Sequence, residues 1–537
     1  MLITAATLLA NASLVYAQEG GVIVHGIVKD SATGKPVPGA SVYREEMDDV
    51  AVTDEAGEFS FPPVPPGRWH LAVVDPSYQR ANASSDGASE VDITLVPVSL
   101  RGTEIVVETE QEHTSAGEAS IPRDEIMKIP GSNGDPLKAI KNLPGVANTQ
   151  GFGTQAGLVI RGSSPADSRI LVDGFEIPLL YHLGGITSVL PGEMIGDLKY
   201  SPGGFGVEWG NASGGIVEVT SREGGNQLAG FADVSFINAS TMLQGPIGKN
   251  GSFAVAVRRS YIDAILGEVA PSSLSFTALP RYYDYQARVD YKLSPHLKLN
   301  AFLIGSDDVF GLSSTADNPD DPNTNQFSNT TSFQRVIGAA TYDRPGVYNK
   351  LSVSVLNRRL GLEVGSAEHL HTQNQSLTVR DEAKVKLVDG VSLVAGGQAE
   401  VGTFDVDVKL PRPQAEGDPA QPNFTHDPEL DTQASGDTSN LSGWTAAELA
   451  PVAAWKTTLG VRVDNFRHND ATVVQPRAQT RLKLSDDDVL LGSFGLYTRP
   501  PDNQDENLQA DLKPERAWQS SVGIENKLLP GVTLQTT

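Results

Sequence analysis

The feature that most constrains this 537-residue chain is a period of two that persists from residue 226 to residue 537. Tyr285, Ala287, Val289, Tyr291 and Leu293 alternate with Gln286, Arg288, Asp290 and Lys292. Trp455, Thr457, Leu459, Val461 and Val463 alternate with Lys456, Thr458, Arg462 and Asp464. Ala478, Thr480, Leu482 and Leu484 oppose Arg477, Gln479, Arg481 and Lys483, and Trp518, Ser520, Val522, Ile524 and Leu528 oppose Gln519, Ser521, Glu525 and Lys527. In an extended strand, such alternation puts one apolar and one charged face on opposite sides of a sheet. The connections are sorted as well. Short turns fall near Asn250-Gly251, Ser294-Pro295, Pro345-Gly346, Asp389-Gly390, Pro451, Asp486–Asp488 and Pro530-Gly531. Long polar segments separate them: Asp263 to Pro280, Ser306 to Asn329, Pro411 to Asn440 and Pro500 to Lys513. Short turns on one side and long loops on the other are the pattern of an antiparallel transmembrane β-barrel. A Lys or Arg on the lipid face costs about 2–4 kcal/mol at the midplane, so the charged faces are expected to line the lumen. Tyr261, Tyr282, Tyr283, Trp455, Tyr497 and Trp518 near strand ends are expected to form interfacial girdles.

Composition narrows the alternatives. With 41 basic and 66 acidic residues the formal charge is −25. That disfavours a nucleic-acid binder, which needs clustered Lys and Arg. Cysteine is absent, which removes disulfides, thiolate metal sites and cysteine nucleophiles. No internal run approaches the ~18 apolar residues of a membrane helix.

Four further segments precede the barrel pattern. Residues 1–17 read as an export signal, with small residues at Val15 and Ala17 before a cleavage point, although no Lys or Arg precedes Lys29. Residues 20–99 carry short strands about ten residues apart with Gly/Pro turns, the pattern of a small β-sandwich. Residues 100–119 are a polar linker around one short apolar stretch, Glu104-Ile105-Val106-Val107-Glu108-Thr109, which reads either as a last sandwich strand or as an exposed strand that pairs with a partner's sheet edge. Residues 120–225 are glycine-dense, with a short helix expected from Asp135 to Asn142 and strands at Leu158–Ile160, Ile170–Val172 and Ile216–Val219. Several of its segments are too glycine-rich to make a self-sufficient core, so the unit is expected to need walls from elsewhere.

The order Gly26-x-Val28-x-Asp30, Thr33-Gly34-x-Pro36, Thr53-Asp54-x-x-Gly57-x-Phe59 and Pro65-Pro66-Gly67 resembles the carboxypeptidase regulatory-like domain, an accessory sandwich without catalytic groups. His426-Asp427-Pro428-Glu429 has a zinc-peptidase spacing but sits in a Pro/Asp-rich stretch and reads as loop. The glycine-dense unit carries Leu143-Pro144-Gly145-Val146, Ile160-Arg161-Gly162, Leu171-Val172-Asp173-Gly174 and Tyr200-Ser201-Pro202-Gly203-Gly204-Phe205-Gly206-Val207-Glu208-Trp209-Gly210, leading to Gly214-Gly215-Ile216. In this order, ahead of barrel strands and a late Lys513-Pro514-Glu515-Arg516-Ala517, these motifs resemble a TonB-dependent outer-membrane receptor.

The resemblance implies a mainly β chain: sandwich, α+β plug (120–225) and antiparallel transmembrane barrel (226–537) in the bacterial outer membrane. It implies import of a scarce ligand, coupled to energy through a TonB-type periplasmic protein, with no catalysis and no cofactor. Glu104, Ile105, Val106, Val107, Glu108 and Thr109 are similar to the TonB box that this partner pulls. Arg161, Gly162, Asp173, Gly174, Gly203, Gly204, Gly210, Gly214, Gly215 and Arg222 form the plug signature. Arg161 and Arg222 are expected to pair with barrel carboxylates, and the glycines to serve close backbone approach. Siderophore, vitamin, oligosaccharide and peptide all stay open as ligands. A receptor that binds or signals without transport, or a glycan-binding surface module, are the alternatives.

Asp307, Asp308, Asp317, Asp320 and Asp321 crowd one expected loop. Their oxygens suit Ca²⁺, with Asp317, Asp320 and Asp321 the closest group, but the spacing fits no EF-hand, so a solvated acidic loop is the reading. Counting strands between turns gives 15, against about 22 in plugged barrels. The expectation is therefore an incomplete barrel with about seven strands lacking.

Overall fold

The computed structural model describes residues 22–31, 34–44, 49–64, 67–74, 78, 81–86, 90–95, 115–126, 128–129, 132, 135–149, 157–183, 185, 187–269, 274–314, 326–365, 368–411, 429–467, 470–501, 512–529 and 532–537. The export signal, the Glu104–Thr109 segment and Asp317, Asp320 and Asp321 lie outside the described residues. The chain divides into two units, Met1–Ile105 and Val106–Thr537.

The first unit holds β1 (His25–Asp30), β2 (Ser41–Arg44), β3 (Asp49–Val52), β4 (Glu58–Ser60), β5 (Trp69–Val74), β6 (Ala81–Ser85) and β7 (Val91–Leu95). They form two sheets, ordered β4-β1-β7 and β3-β2-β5-β6. Val24, Val28, Val42, Phe59, Phe61, Leu71, Val73, Ile93 and Leu95 form one buried core. Arg44 is buried there, over the rings of Phe61 and Trp69 and paired with Asp49, which supplies the counter-charge a buried guanidinium requires.

In the second unit, the glycine-dense segment gives β8 (Ala119–Pro122), α1 (Arg123–Ile126), α2 (Pro136–Ile140), β9 (Val146–Thr149), β10 (Gly157–Ile160), β11 (Arg169–Val172), β12 (Phe175–Glu176), β13 (Tyr181–His182), β14 (Thr187–Ser188), β15 (Ile195–Ser201) and β16 (Ile216–Ser221). Asp135 caps α2 by accepting from the Leu137 and Lys138 amides, and Pro136 occupies the first turn. A mixed five-stranded sheet, β12-β11-β16-β15-β8, organises this plug.

The wall follows: β17 (Ala229–Val234), β18 (Asn238–Ile247), β19 (Gly251–Ser260), α3 (Ile262–Val269), β20 (Leu274–Ser294), β21 (Leu297–Ser314), β22 (Gln326–Arg344), β23 (Val347–Val364), β24 (Glu368–Val388), β25 (Val391–Pro411), β26 (Glu429–Val452), β27 (Trp455–Phe466), β28 (Ala471–Lys483), β29 (Asp488–Arg499), β30 (Glu515–Leu529) and β31 (Val532–Thr536). All fifteen strands pair in chain order in one sheet with β17 and β31 at its edges. The alternation read from the sequence sets their faces. Val289, Leu459, Val463, Trp518 and Val522 are exposed on the outer face, while Arg288, Asp290, Arg462, Asp464 and Arg477 are buried on the inner one.

Two expectations change. The strands run further than the sequence pattern suggested. β24 and β25 have 21 residues each and β26 has 24, where about 9–11 span a membrane. Much of what reads as polar loop, Asp307 and Asp308 included, is therefore strand. Beyond the lipid both faces of a strand meet water, so composition no longer separates strand from loop. In addition, Tyr282 and Tyr497 join no girdle, because both are fully buried against the plug; Trp455 and Trp518 do face outward.

Candidate functional site

The plug meets the inner wall from β18 round to β31, and the chemistry of that contact differs from side to side. Against β18–β22 the plug core continues into the wall. Leu137, Ile140, Val189, Leu190, Leu198 and Val217 of the plug share one buried cluster with Met242, Ala254, Phe302, Ile304, Phe333 and Ile337 of the wall. These inward apolar residues interrupt the polar lumen and extend a core that the plug builds largely from its own residues, Ile160, Ile170, Val172 and Tyr200 among them, so the plug depends on the wall less than its glycine content suggested.

Charges border this apolar seam. His182, wholly buried, lies 2.7 Å by Nδ1 from Asp308 and 3.1 Å by Nε2 from Asp284, and its ring stacks on Tyr282 at 4.1 Å. A neutral imidazole has only one N–H to donate, so a carboxylate on each nitrogen requires the imidazolium. Burial alone would lower the His182 pKa, but the carboxylates of Asp308 and Asp284 outweigh it and hold the pKa above its ordinary value. Arg258 donates to Asp284 at 2.6 Å and also to the Ser188 carbonyl. Gln286 donates to the Val189 carbonyl at 3.1 Å, and Arg288 pairs with Asp173 at 3.3 Å and with Asp290 at 2.7 Å.

Against β24–β30 the contact is a clasp of side-chain donors on backbone carbonyls of the loop 203–214. Arg380 donates to the Glu208 carbonyl at 3.0 Å. Arg462 donates to the carbonyls of Val207 and Glu208 at 3.2 and 3.3 Å. Arg477 donates to those of Trp209, at 2.6 Å, and Gly206. Gln479 and Gln519 donate to Gly204 and Ser213, each at 2.6 Å. Trp209 and Trp444 sandwich Arg380 at 4.7 and 4.6 Å, and Arg477 lies 4.3 Å from the Tyr497 ring. Asp464 neutralises Arg462 and Glu382 neutralises Arg380, both at 2.9 Å, whereas Arg477 has the Gln475 amide oxygen at 2.8 Å.

The signature residues fall as follows. Arg161 and Gly162 turn the chain after β10 with φ of 52° and 78°, and Asp173 and Gly174 turn it between β11 and β12 with φ of 51° and 94°. Asp173 also accepts the Ser221 amide at 2.9 Å and the Arg288 guanidinium. Gly203, Gly204, Gly210, Gly214 and Gly215 all lie in or beside the clasped loop. At Gly204 a φ of 66° and the Ser493 hydroxyl, 2.2 Å from any added Cβ, both require glycine. At Gly210 an added Cβ would stand 2.4 Å from Arg462 Nε.

Arg161 donates to the Ala116 carbonyl at 3.3 Å, within the plug. Arg222 reaches the wall at the Gln244 amide oxygen and donates to the Glu193 carbonyl at 3.2 Å. Among the described residues the arginine pairing across the interface thus runs mainly the other way, with wall arginines reaching plug carbonyls and carboxylates, whereas the plug cation that does meet wall carboxylates is His182. Sequence reasoning missed His182, Asp284, Arg380 and Gln519. One readable signal was Arg-x-acid at Arg288/Asp290, Arg380/Glu382 and Arg462/Asp464, pairs that share a strand face. Among the described residues no group of three or more His, Asp or Glu is placed to hold a metal.

A lipid-facing antiparallel wall holding an α+β plug by its inner face defines a plugged outer-membrane barrel. Three family matches agree in chain order: the carboxypeptidase regulatory-like domain over residues 23–96, the TonB-dependent receptor plug domain over 110–216 and the TonB-dependent receptor-like β-barrel over 246–536. The last covers more than half of the chain, which belongs to the TonB-dependent receptors, outer-membrane receptors and transporters and not a family of enzymes. The chain is 31% identical over 188 residues to the ferrienterobactin receptor of Escherichia coli K12, covering 30% of this chain and 25% of that one. It is 25% identical over 241 residues to the TonB-dependent transporter Oar of Myxococcus xanthus, covering 41% and 22%. The chain thus spans a quarter or less of these relatives' length. In fold it resembles crystal structures of the ferric enterobactin receptor of Pseudomonas aeruginosa (TM-score 0.57, 17% identity, 78% of this chain and 70% of that one) and of the siderophore receptor PirA of Acinetobacter baumannii (TM-score 0.58, 16% identity, 77% and 68%).

Proposed function

We propose that this chain takes a ligand from outside the cell and releases it inward when a TonB-type partner pulls the segment Glu104–Thr109. The observation that carries this reading is the clasp. The loop 203–214 is held mainly by hydrogen bonds to its carbonyls, which water can replace, so its opening wets only the small apolar clusters around Phe205 and Val207. The relatives named for ferrienterobactin favour a ferric siderophore as ligand, with vitamin, oligosaccharide and peptide as the alternatives. In this scheme residues 1–17 direct export, 20–99 form an accessory sandwich, 100–119 a tether, 120–225 the plug and 226–537 the wall. Val106→Pro tests the coupling. Proline removes a backbone donor and blocks strand addition. The variant, carried at the native locus, is expected to bind ligand on the cell surface as before while losing growth on that ligand as limiting nutrient. Unchanged growth refutes the coupling role of this segment.

A further inference from the structure

The two sides of the plug respond differently to water. On the β18–β22 side, separation would wet Phe302, Ile304, Phe333 and Ile337 together with the plug residues they cover, and apolar burial lost to water is lost in full. It would also break the imidazolium of His182 away from two buried carboxylates. On the β24–β30 side, the contacts are mostly donors on neutral carbonyls, flanked by small apolar clusters around Phe205, Val207 and Ala116 and, among the described residues, by one ion pair, Arg499–Asp167 at 3.1 Å. There, water can satisfy both partners of each hydrogen bond as they part.

We propose that the plug opens on its arginine side while staying docked on β18–β22, and that the passage along Arg380, Arg462, Arg477, Gln479 and Gln519 takes a cargo rich in anionic or acceptor oxygens. The cargo half of this statement rests on the import reading. Withdrawal of the loop leaves five side chains whose donors face a cleft. A cargo bearing carboxylates or similar oxygens replaces the lost carbonyls, and the guanidiniums bind such oxygens in pairs. Arg380 and Arg462 retain Glu382 and Asp464, so the net charge they offer is small and acceptor geometry, more than charge, selects the cargo. Arg477 has no carboxylate partner among the described residues and is the position where an anion gains most.

The chain has no cysteine, so single thiols report cleanly. Ala212→Cys places one in the clasped loop and Val189→Cys one in the apolar seam; both native side chains are fully buried. Labelling by a maleimide dye is followed on the purified full chain in detergent across low urea, where local opening precedes global unfolding. The thiol at 212 is expected to label roughly tenfold faster or more, with a shallower urea dependence. Millimolar citrate, which binds only the opened clasp, is expected to speed labelling at 212 relative to sodium chloride of equal ionic strength. Val207→Cys and Leu190→Cys repeat the comparison if either first variant fails to fold. Labelling in the seam as fast as in the clasp overturns the sided opening. A citrate effect no larger than that of sodium chloride overturns the cargo chemistry. No ligand or energised partner is present, so either failure is separate from failure of the Val106→Pro test.

Discussion

Replacing Asp284 by Asn is expected to loosen the plug hairpin more than replacing Asp308, although both carboxylates touch the same histidine. Asp284 is wholly buried and serves two cations, Arg258 at 2.6 Å and His182 at 3.1 Å. Removing one member of such a buried group costs about 3–5 kcal/mol, since the remaining charges stay out of water. At about 1.4 kcal/mol per tenfold, protection of the hairpin amides should fall by two to three and a half orders of magnitude. Asp308 holds His182 at 2.7 Å and also accepts the Leu183 amide at 3.1 Å. The side-chain amide introduced by Asp308→Asn keeps a carbonyl oxygen for that N–H, and His182 can shed its proton and donate to Asp284 alone. The cost is then that of one hydrogen bond, about 1–2 kcal/mol, or roughly fivefold to thirtyfold. The sign of the pH effect follows from the raised His182 pKa. The folded state binds this proton more tightly than the unfolded state. Its stabilisation is complete below the ordinary histidine value of about 6.5 and is lost as pH rises through the higher folded value. Hydrogen exchange of residues 181–188, corrected for intrinsic rates at each pH, reads all of this. Asp308→Asn should flatten the pH dependence as well as lower protection. Equal losses in the two variants, or a greater loss in Asp308→Asn, would refute the imidazolium bridge.

Two further substitutions probe the plug. Burial pushes the Glu218 carboxyl from an ordinary 4.5 up to about 7. Its folded form therefore favours the proton, and plug stability should fall as pH rises from about 4.5 to about 7, by at most about 3 kcal/mol. Glu218→Gln should remove that fall, leaving urea midpoints unchanged near pH 4 and raised at pH 8. Gly210→Ala sets a methyl 2.4 Å from the Nε of Arg462, whose guanidinium is buried and fixed by Asp464. The clash should cost about 1–3 kcal/mol and raise dye labelling at position 212 in the Ala212→Cys background.

The wall was legible because each strand repeats one physical decision every two residues. Arg288 cannot face lipid and Val289 gains nothing by facing water, so parity fixed the faces, and the turns fixed the strand count at fifteen. Parity fails where the environment stops being two-sided. Glu429 to Asn440 is strand, yet Leu430 and Ala434 are the only apolar side chains in an otherwise small and polar run, too few to separate it from loop by composition. The girdle expectation failed for a related reason. An aromatic at a strand end serves a lipid interface or a plug equally well, and only inward parity distinguished Tyr282 and Tyr497, which face the plug, from Trp518, which does not.

The plug motifs marked the right loop but concealed what holds it. Gly203 to Gly215 reads as backbone that must be approached closely, and the structure shows what approaches: the guanidiniums of Arg380, Arg462 and Arg477, carried by three strands remote in sequence. A glycine-rich loop exposes its carbonyls because no side chains shield them, and carbonyls buried without donors are costly. Such a loop inside a barrel therefore calls for inward donors on the wall. Expecting plug arginines to seek wall carboxylates overlooked this, because it matched charge with charge where most of the unmet need was neutral oxygen. The Arg-x-acid pairs at 288/290, 380/382 and 462/464 belong to the same argument. An acid two residues along the same face keeps each guanidinium compensated, so the wall can present a donor to the plug without burying a bare charge whenever the loop withdraws.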